Sequence, residues 1–249
     1  MKNIFRILAA GVLISWSLNA FADKTITIMS YNVHNGVGLD GKCDHKRLAE
    51  VIKARKPDFV GIQEVDSCTN RSNHAYVLGD IAEAAGLIPT YAPAIKYDGG
   101  LYGIGILSKN MPDSVSLFPL PGREEQRVLV VTYFENIIIA NSHFSLTQED
   151  ALESVKIVKT ILDNAKNRPV IFMGDLNSHP DSPVIQDLNR YFKIVSSDAP
   201  TFPADKPNER IDFIMVSDGT PFAVEAAEVV PDDIASDHRP ITVTLTLPE

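Results

Sequence analysis

Asp58-Phe59-Val60-Gly61-Ile62-Gln63-Glu64-Val65 is the stretch on which the fold turns. It follows Pro57, has the length of one β-strand, and is apolar except for Gln63 and Glu64 near its far end. A carboxylate in such a strand costs several kcal/mol unless it is paired or binds metal. Glu64 therefore needs either a Lys or Arg partner or a cation. Upstream, Lys24 to Val33 alternates Ile, Ile and Met with Thr and Ser, which predicts another strand, and it runs out into the polar cluster Asn32, His34, Asn35, Gly36. Between the two, Asp44 is placed to cap a helix carrying Leu48, Val51 and Ile52 at helical spacing, which stops before Pro57.

Downstream, a helix is predicted from about His74 to Ala85, closed by Gly86 as its C-cap. From Leu87 to Phe144 the helical period disappears. Short strands are punctuated by Pro89, Pro93, Gly99-Gly100, Pro112 and Pro121-Gly122, the pattern of an antiparallel meander. Helical spacing returns from Glu149 to Ala165. A buried strand at Pro169 to Met173, a short helix near Pro183 to Arg190, and strands at Arg210 to Val216, Phe222 to Val229 and Pro240 to Leu247 complete the chain. Strand and helix alternate at both ends of a strand-rich middle. This predicts an α/β fold with two mixed β-sheets packed face to face and helices on the outer faces, a four-layer α-β-β-α sandwich. Neither half carries a Gly-rich phosphate loop, so a Rossmann or P-loop nucleotide site has no motif behind it.

The first residues bear on compartment. Lys2 and Arg6 precede an uncharged apolar stretch, Ile7 to Leu18, that closes on Ala20-Phe21-Ala22. That is the pattern of a secretory signal peptide, too short for a comfortable membrane span. We expect cleavage after Ala22, leaving residues 23–249 as one exported domain, periplasmic or secreted, without a transmembrane anchor and monomeric. An uncleaved amino-terminal anchor is the alternative. The formal net charge of the whole chain is −9, and loss of Lys2 and Arg6 makes the mature chain more acidic. A general electrostatic grip on nucleic acid is thus disfavoured, since that affinity comes from Lys and Arg neutralising phosphates, although a local basic pocket is allowed. Cys43 and Cys68 are the only cysteines. In an exported chain such a pair reads as a disulfide, and each follows a predicted strand with a site candidate, so we expect a bridge; two free thiols are the alternative.

Several strand ends carry chemistry. Asn32 ends the first strand as Glu64 ends the second, and a neutral oxygen beside a carboxylate suits Mg²⁺. Met173-Gly174-Asp175-Leu176-Asn177 ends a strand on Gly and presents Asp175 and Asn177 two residues apart, although Asp-x-Asn is also ordinary turn chemistry. Ser236-Asp237-His238-Arg239-Pro240 sets a carboxylate beside an imidazole before the last strand, and Asp212 lies within the apolar strand Ile211 to Val216. A buried Asp next to a His fixes its tautomer and raises its basicity. His143 follows the apolar strand Ile137 to Ala140; a lone His there is more often structural than catalytic.

These residues together resemble the endonuclease/exonuclease/phosphatase superfamily. The motifs are Ser30-Tyr31-Asn32-Val33-His34, Ile62-Gln63-Glu64-Val65-Asp66, Asn141-Ser142-His143, Gly174-Asp175-Leu176-Asn177, Arg210-Ile211-Asp212-Phe213 and Ser236-Asp237-His238, in family order. Each is short, but the six in sequence are specific. The resemblance implies Glu64 as main ligand of Mg²⁺ or Mn²⁺, with Asn32 and Asp237 contributing. It implies Asp212 orienting His238 as general base, Asp175 activating water, and Asn177 and His143 holding phosphoryl oxygens. Arg71, Arg127, Tyr102 and His34 are further candidates for substrate phosphate; surface arginines and a core tyrosine are the plain alternatives.

The function expected is metal-dependent hydrolysis of a phosphodiester or phosphomonoester, on a small or lipid-linked substrate. A secreted nuclease shares every catalytic group, but no Lys/Arg run interleaved with aromatics supports it. A catalytically inactive binding module of the same fold would lack one or more key polar residues, and none is replaced here. Tyr91 to Gly103 and Thr201 to Arg210, which border the expected cleft, carry no readable motif.

Overall fold

The computed structural model describes residues 24–247, so the expected signal peptide lies outside the described residues. The strands are β1 (Lys24–Asn32), β2 (Phe59–Ser67), β3 (Ile88–Tyr97), β4 (Gly100–Ser108), β5 (Ser114–Leu120), β6 (Arg127–Tyr133), β7 (Ile138–His143), β8 (Val170–Asp175), β9 (Phe192–Ile194), β10 (Asp212–Ser217), β11 (Ala223–Val229) and β12 (Ile241–Leu247). The helices are α1 (His45–Arg55), α2 (Val77–Ala85), α3 (Gln148–Asp163) and α4 (Pro183–Leu188).

Two six-stranded sheets form, ordered β11-β12-β1-β2-β4-β3 and β5-β6-β7-β8-β10-β9. Each has one parallel pair among antiparallel ones, β1 with β2 and β7 with β8, and each pair is joined through a helix, α1 or α3. The hydrophobic clusters give the layering. Ile28, Ile104 and Val243 of the first sheet pack against Val130, Ile171 and Ile214 of the second. Met29, Ile62 and Leu107 on the other face of the first sheet meet Leu48, Ile52 and Ile81 of α1 and α2. Leu129, Phe172 and Phe213 meet Val155, Val158 and Ile185 of α3 and α4. This is the four-layer sandwich expected from the sequence.

Local physics explains most boundaries. Asp44 accepts a hydrogen bond from Arg47 N and starts α1, and Gly86 ends α2 at a φ of 71°. The expected start of α2 near His74 is corrected to Val77, because Asn73 and His74 both take left-handed φ values, 53° and 60°. The expected single meander also divides: β3 and β4 close the first sheet, and β5, β6 and β7 open the second. The expected disulfide is not formed. Cys43 and Cys68 are separate exposed thiols, and Cys43 Sγ instead faces His45 Nε2 at 3.2 Å. No described helix is long and apolar enough to cross a membrane.

Candidate active site

The parallel pairs direct their carboxyl ends to one edge of the sandwich. Asn32, the last residue of β1, is fully buried, and its Nδ2 donates to Glu64 Oε1 and to Asp175 Oδ2, both at 3.0 Å. One amide thus ties together the two sheets' carboxylates. Asn32 Oδ1 accepts from His34 N at 3.1 Å. Glu64 sits where the β2–β4 register shifts, between Ile62 and Val65, and its φ is 59°. A bulge of this kind re-aims a side chain, which leaves Ile62 and Val65 in the core while Glu64 faces the edge. The left-handed conformation of a non-glycine costs on the order of 1–3 kcal/mol. Beneath it, Gln63 Nε2 donates to Asn141 Oδ1 at 2.7 Å, and Asn141 Nδ2 to Ile62 O and Gly105 O, latching one sheet to the other.

In the second sheet His143 and Asp175 are register partners at the ends of β7 and β8. Gly174 makes this possible: its φ is 150°, and a Cβ there would come within 1.9 Å of Ser142 O. Asn177, with φ 45°, donates its backbone N–H to Asp175 Oδ1 at 3.0 Å and its Nδ2 to Phe144 O at 3.0 Å. His143 Nε2 lies 3.6 Å from Asp175 Oδ2, and its Nδ1 lies 3.2 Å from Arg127 Nη1. Burial pushes this imidazole down to about 4, with the Arg127 charge acting in the same direction and Asp175 opposing them.

The last loop completes the crevice. Ser236 Oγ donates to Asn32 O at 2.7 Å and draws the loop onto β1. His238 then places Nδ1 3.0 Å from Asp212 Oδ2 and Nε2 3.6 Å from Asp175 Oδ2. Burial alone would lower this ring's pKa, but Asp212 and Asp175 outweigh it and raise it to about 10. Burial and Asp212 push the Asp175 carboxyl upward, and the two imidazoles pull it back. Asp237 Oδ2 lies 3.9 Å from His34 Nε2 at the rim.

The crevice's donor set fits a hard cation. Glu64 is half-buried and, among the described residues, has no Lys or Arg within ion-pair distance, so the salt-bridge alternative finds no support. Asn32 Oδ1 keeps a second lone pair for a ligand. One ligand atom each from Asp175, Asp212 and His238 also lie within 4.8 Å of one another, close enough to share an ion.

The remaining candidates divide. Arg71 does not face the crevice as an open fork: its Nε and Nη2 are taken by the fully buried Asp66, at 2.6 and 2.8 Å, and its guanidinium lies over the Tyr97 and Tyr102 rings. The guanidinium neutralises Asp66, which the sequence showed only as a motif residue. Arg127 is not a surface residue; it is buried beside His143 and 2.9 Å from Glu125. Tyr102 lines a small recess with Glu125, Arg127 and His143. Four residues at the site escaped the sequence reading. Thr201 donates to Asp212 Oδ2 at 2.5 Å, Phe202 packs its ring 4.7 Å from that of His238, and Ser236 and Glu125 hold the loop and Arg127. Thr201 and Phe202 lie in a loop without periodicity; for Ser236 the only signal was its place in the Ser-Asp-His motif.

Carboxylates, amides and imidazoles gathered on one edge of a two-sheet sandwich fit the class of metal-dependent phosphoesterases and nucleases. The chain belongs to the endonuclease/exonuclease/phosphatase family, whose model matches residues 29–238. No curated protein sequence matches it. Solved structures of the same fold include an endonuclease/exonuclease/phosphatase from Beutenbergia cavernae, with 22% identity and a TM-score of 0.73 over 90% of this chain and 72% of that one. A mannosyl-6-phosphatase from Bacteroides thetaiotaomicron has 20% identity and a TM-score of 0.71 over 88% and 99%. The human Nocturnin catalytic domain with bound sulfate has 16% identity and a TM-score of 0.67 over 92% and 98%.

Proposed function

We propose that the protein is an exported phosphoesterase, periplasmic or secreted, that hydrolyses a small-molecule or lipid-linked phosphodiester or phosphomonoester by in-line attack of water, with Mg²⁺ or Mn²⁺. The observation that carries the reading is the meeting of Glu64, Asn32, Asp175 and His238 in one crevice, linked by contacts of 3.0 to 3.6 Å. Glu64 and Asn32, with Asp237 as the resemblance implies, would hold a divalent cation, which when bound would supply Lewis-acid stabilisation of charge on the nonbridging oxygens.

The chain's own groups do the rest. Asp212 accepts from His238 Nδ1–H and fixes the ring so that Nε2 faces Asp175. With the ring pushed up to about 10, His238 carries a proton at neutral pH. Asp175 Oδ2 then takes the proton of the attacking water as its oxygen bonds to phosphorus, the imidazolium faces the developing charge, and the ester P–O bond opposite breaks, the departing oxygen taking its proton from solvent. In this reading the base role that the resemblance gives to His238 is shared between Asp175 and His238. Asn177 and His143 face the phosphoryl oxygens from the second sheet, and His34 stands with Asp237 at the rim.

The acidic balance of the chain, −9 overall, favours a compact phosphate over a long polyanion. The test is hydrolysis of bis-p-nitrophenyl phosphate, sugar phosphates, phosphoinositides, plasmid DNA and RNA, with and without EDTA. Metal-dependent turnover of the small or lipid-linked substrates, lost in Glu64→Ala and His238→Ala, is expected. Turnover confined to DNA or RNA would make the protein a nuclease, and full activity in either variant would remove the assignment. Export predicts a mature protein beginning at Asp23, checked by intact-mass measurement of protein recovered from the periplasm or medium.

A further inference from the structure

We propose that Arg127 is a positioning residue that holds His143 as a neutral imidazole with its proton on Nε2, so that the ring serves as a hydrogen-bond donor to the substrate's phosphoryl oxygen. This rests on the phosphoesterase reading for its last step only.

Arg127 opens β6, and its buried guanidinium points away from solvent. Its Nη1 carries two hydrogens and has two acceptors in reach, Glu125 Oε1 at 2.9 Å and His143 Nδ1 at 3.2 Å. A guanidinium has no lone pair to offer and does not deprotonate. His143 Nδ1 must therefore accept, and the hydrogen of the neutral ring goes to Nε2.

Around Nε2 two groups compete. Asp175 Oδ2, at 3.6 Å, is an acceptor and agrees with Nε2–H. Asn177 Nδ2 lies 3.0 Å from Nε2 and could donate there, but that would turn Nδ1–H towards the guanidinium. The charged donor prevails, because charge-assisted hydrogen bonds are roughly twice as strong as neutral ones. In that tautomer Asn177 keeps one Nδ2 hydrogen on Phe144 O at 3.0 Å, and the amide turns to direct its other hydrogen away from Nε2–H. A protonated ring is disfavoured by the same contact, which would place two cations 3.2 Å apart. Glu124 and Glu125 anchor the guanidinium: Glu125 directly, and Glu124 at 3.9 Å while it accepts from Ser145 Oγ and Leu146 N.

The test reads the tautomer without substrate. Long-range ¹H–¹⁵N correlation of the ring nitrogens at pH 7, with the His143 signals assigned by their loss in His143→Asn, should show a protonated Nε2 and a bare Nδ1. In Arg127→Met the ring should lose this preference, and Arg127→Lys should restore it at most in part. The wild-type protein alone is decisive: a protonated Nδ1, or a doubly protonated ring, overturns the proposal, as does a tautomer unchanged in Arg127→Met. In kinetics, kcat should fall about 10- to 100-fold in Arg127→Met, the range for losing an orienting partner of a functional imidazole, with KM little moved. A rise in KM with kcat intact would instead make Arg127 a phosphate clamp and overturn the positioning role. The expected tautomer in a protein that turns over no phosphoester would leave the lock standing and remove the phosphoesterase reading.

Discussion

The two imidazoles that flank Asp175 are held in opposite ways. Each sets Nε2 3.6 Å from the same carboxylate oxygen. Behind His238, however, Nδ1 meets the carboxylate of Asp212, and behind His143 it meets the guanidinium of Arg127. The first ring is raised to about 10 and the second lowered to about 4. The element types explain the difference. His238 comes from a loop folded over β10, whose first residue is Asp212, whereas His143 ends a strand beside β6, whose first residue is Arg127. Burial alone would lower both rings, so the residue at Nδ1 decides which carries charge.

The largest effect should come from breaking the His238 side. Asp212→Asn keeps the size of the group but lets the ring adopt the wrong tautomer or lose its proton. Removing an acid-base group costs roughly 10²–10⁴-fold, and the same exchange in a carboxylate-oriented imidazole has cost up to about 10⁴-fold. We expect kcat on bis-p-nitrophenyl phosphate to fall within that range. A loss under threefold would mean that the carboxylate does not control the ring.

A second prediction sharpens the comparison through pH and stability. His238, with a folded value of about 10 against an ordinary 6.5, contributes stability that is complete below pH 6.5 and is lost as pH rises through 10. His143, at about 4 against 6.5, contributes stability that is complete above pH 6.5 and is lost as pH falls through 4. Each limb is on the order of a few kcal/mol at most. Thermal unfolding of the metal-free protein from pH 4 to 10 should show the alkaline limb flattened in His238→Asn and the acid limb flattened in His143→Asn. Limbs that respond to the opposite variants would reverse the assignment of charge.

Much of this corner was legible in the sequence because an apolar run that ends in a polar residue marks both a strand and its exit. Asn32, Glu64, His143 and Asp175 all follow that rule, and helical spacing found α1 and α3 within a few residues. What stayed hidden depends on partners. Alternation shows that a segment is a strand but not which sheet it joins, so β3–β4 and β5–β7 read as one meander. The pairing of Arg71 with Asp66, the approach of Arg127 to His143 across 16 residues, and the bulge that aims Glu64 are products of tertiary packing. β9 has only three residues, too few for any period to register.

The metal arm offers a control that should leave both imidazoles alone. Glu64→Gln keeps the contact with Asn32 available but removes the charge, so apparent affinity for Mn²⁺ should fall by at least about 10-fold, in the range for weakening a metal site. Titration calorimetry checks the affinity, and the ring signals of His143 and His238 in the metal-free protein should not move. Unchanged Mn²⁺ binding would transfer the cation to the Asp175, Asp212 and His238 group.

The smallest effect tests how finely Asp212 is held. Its Oδ2 accepts from both His238 Nδ1 and the fully buried Thr201 hydroxyl, at 3.0 and 2.5 Å. Thr201→Val removes the hydroxyl at nearly constant volume, leaving one acceptor position of Asp212 without its donor. The donor is neutral but the acceptor is a carboxylate, so the bond is worth about 1.5 kcal/mol at the low end of its range, or up to about tenfold in a rate. Turnover should therefore drop several-fold in Thr201→Val and return in Thr201→Ser, with the alkaline stability limb still controlled by His238. A Thr201→Ser protein as slow as Thr201→Val would show that the methyl group, through packing against the loop, matters more than the hydroxyl. The orientation of Asp212 would then be set by β10 alone.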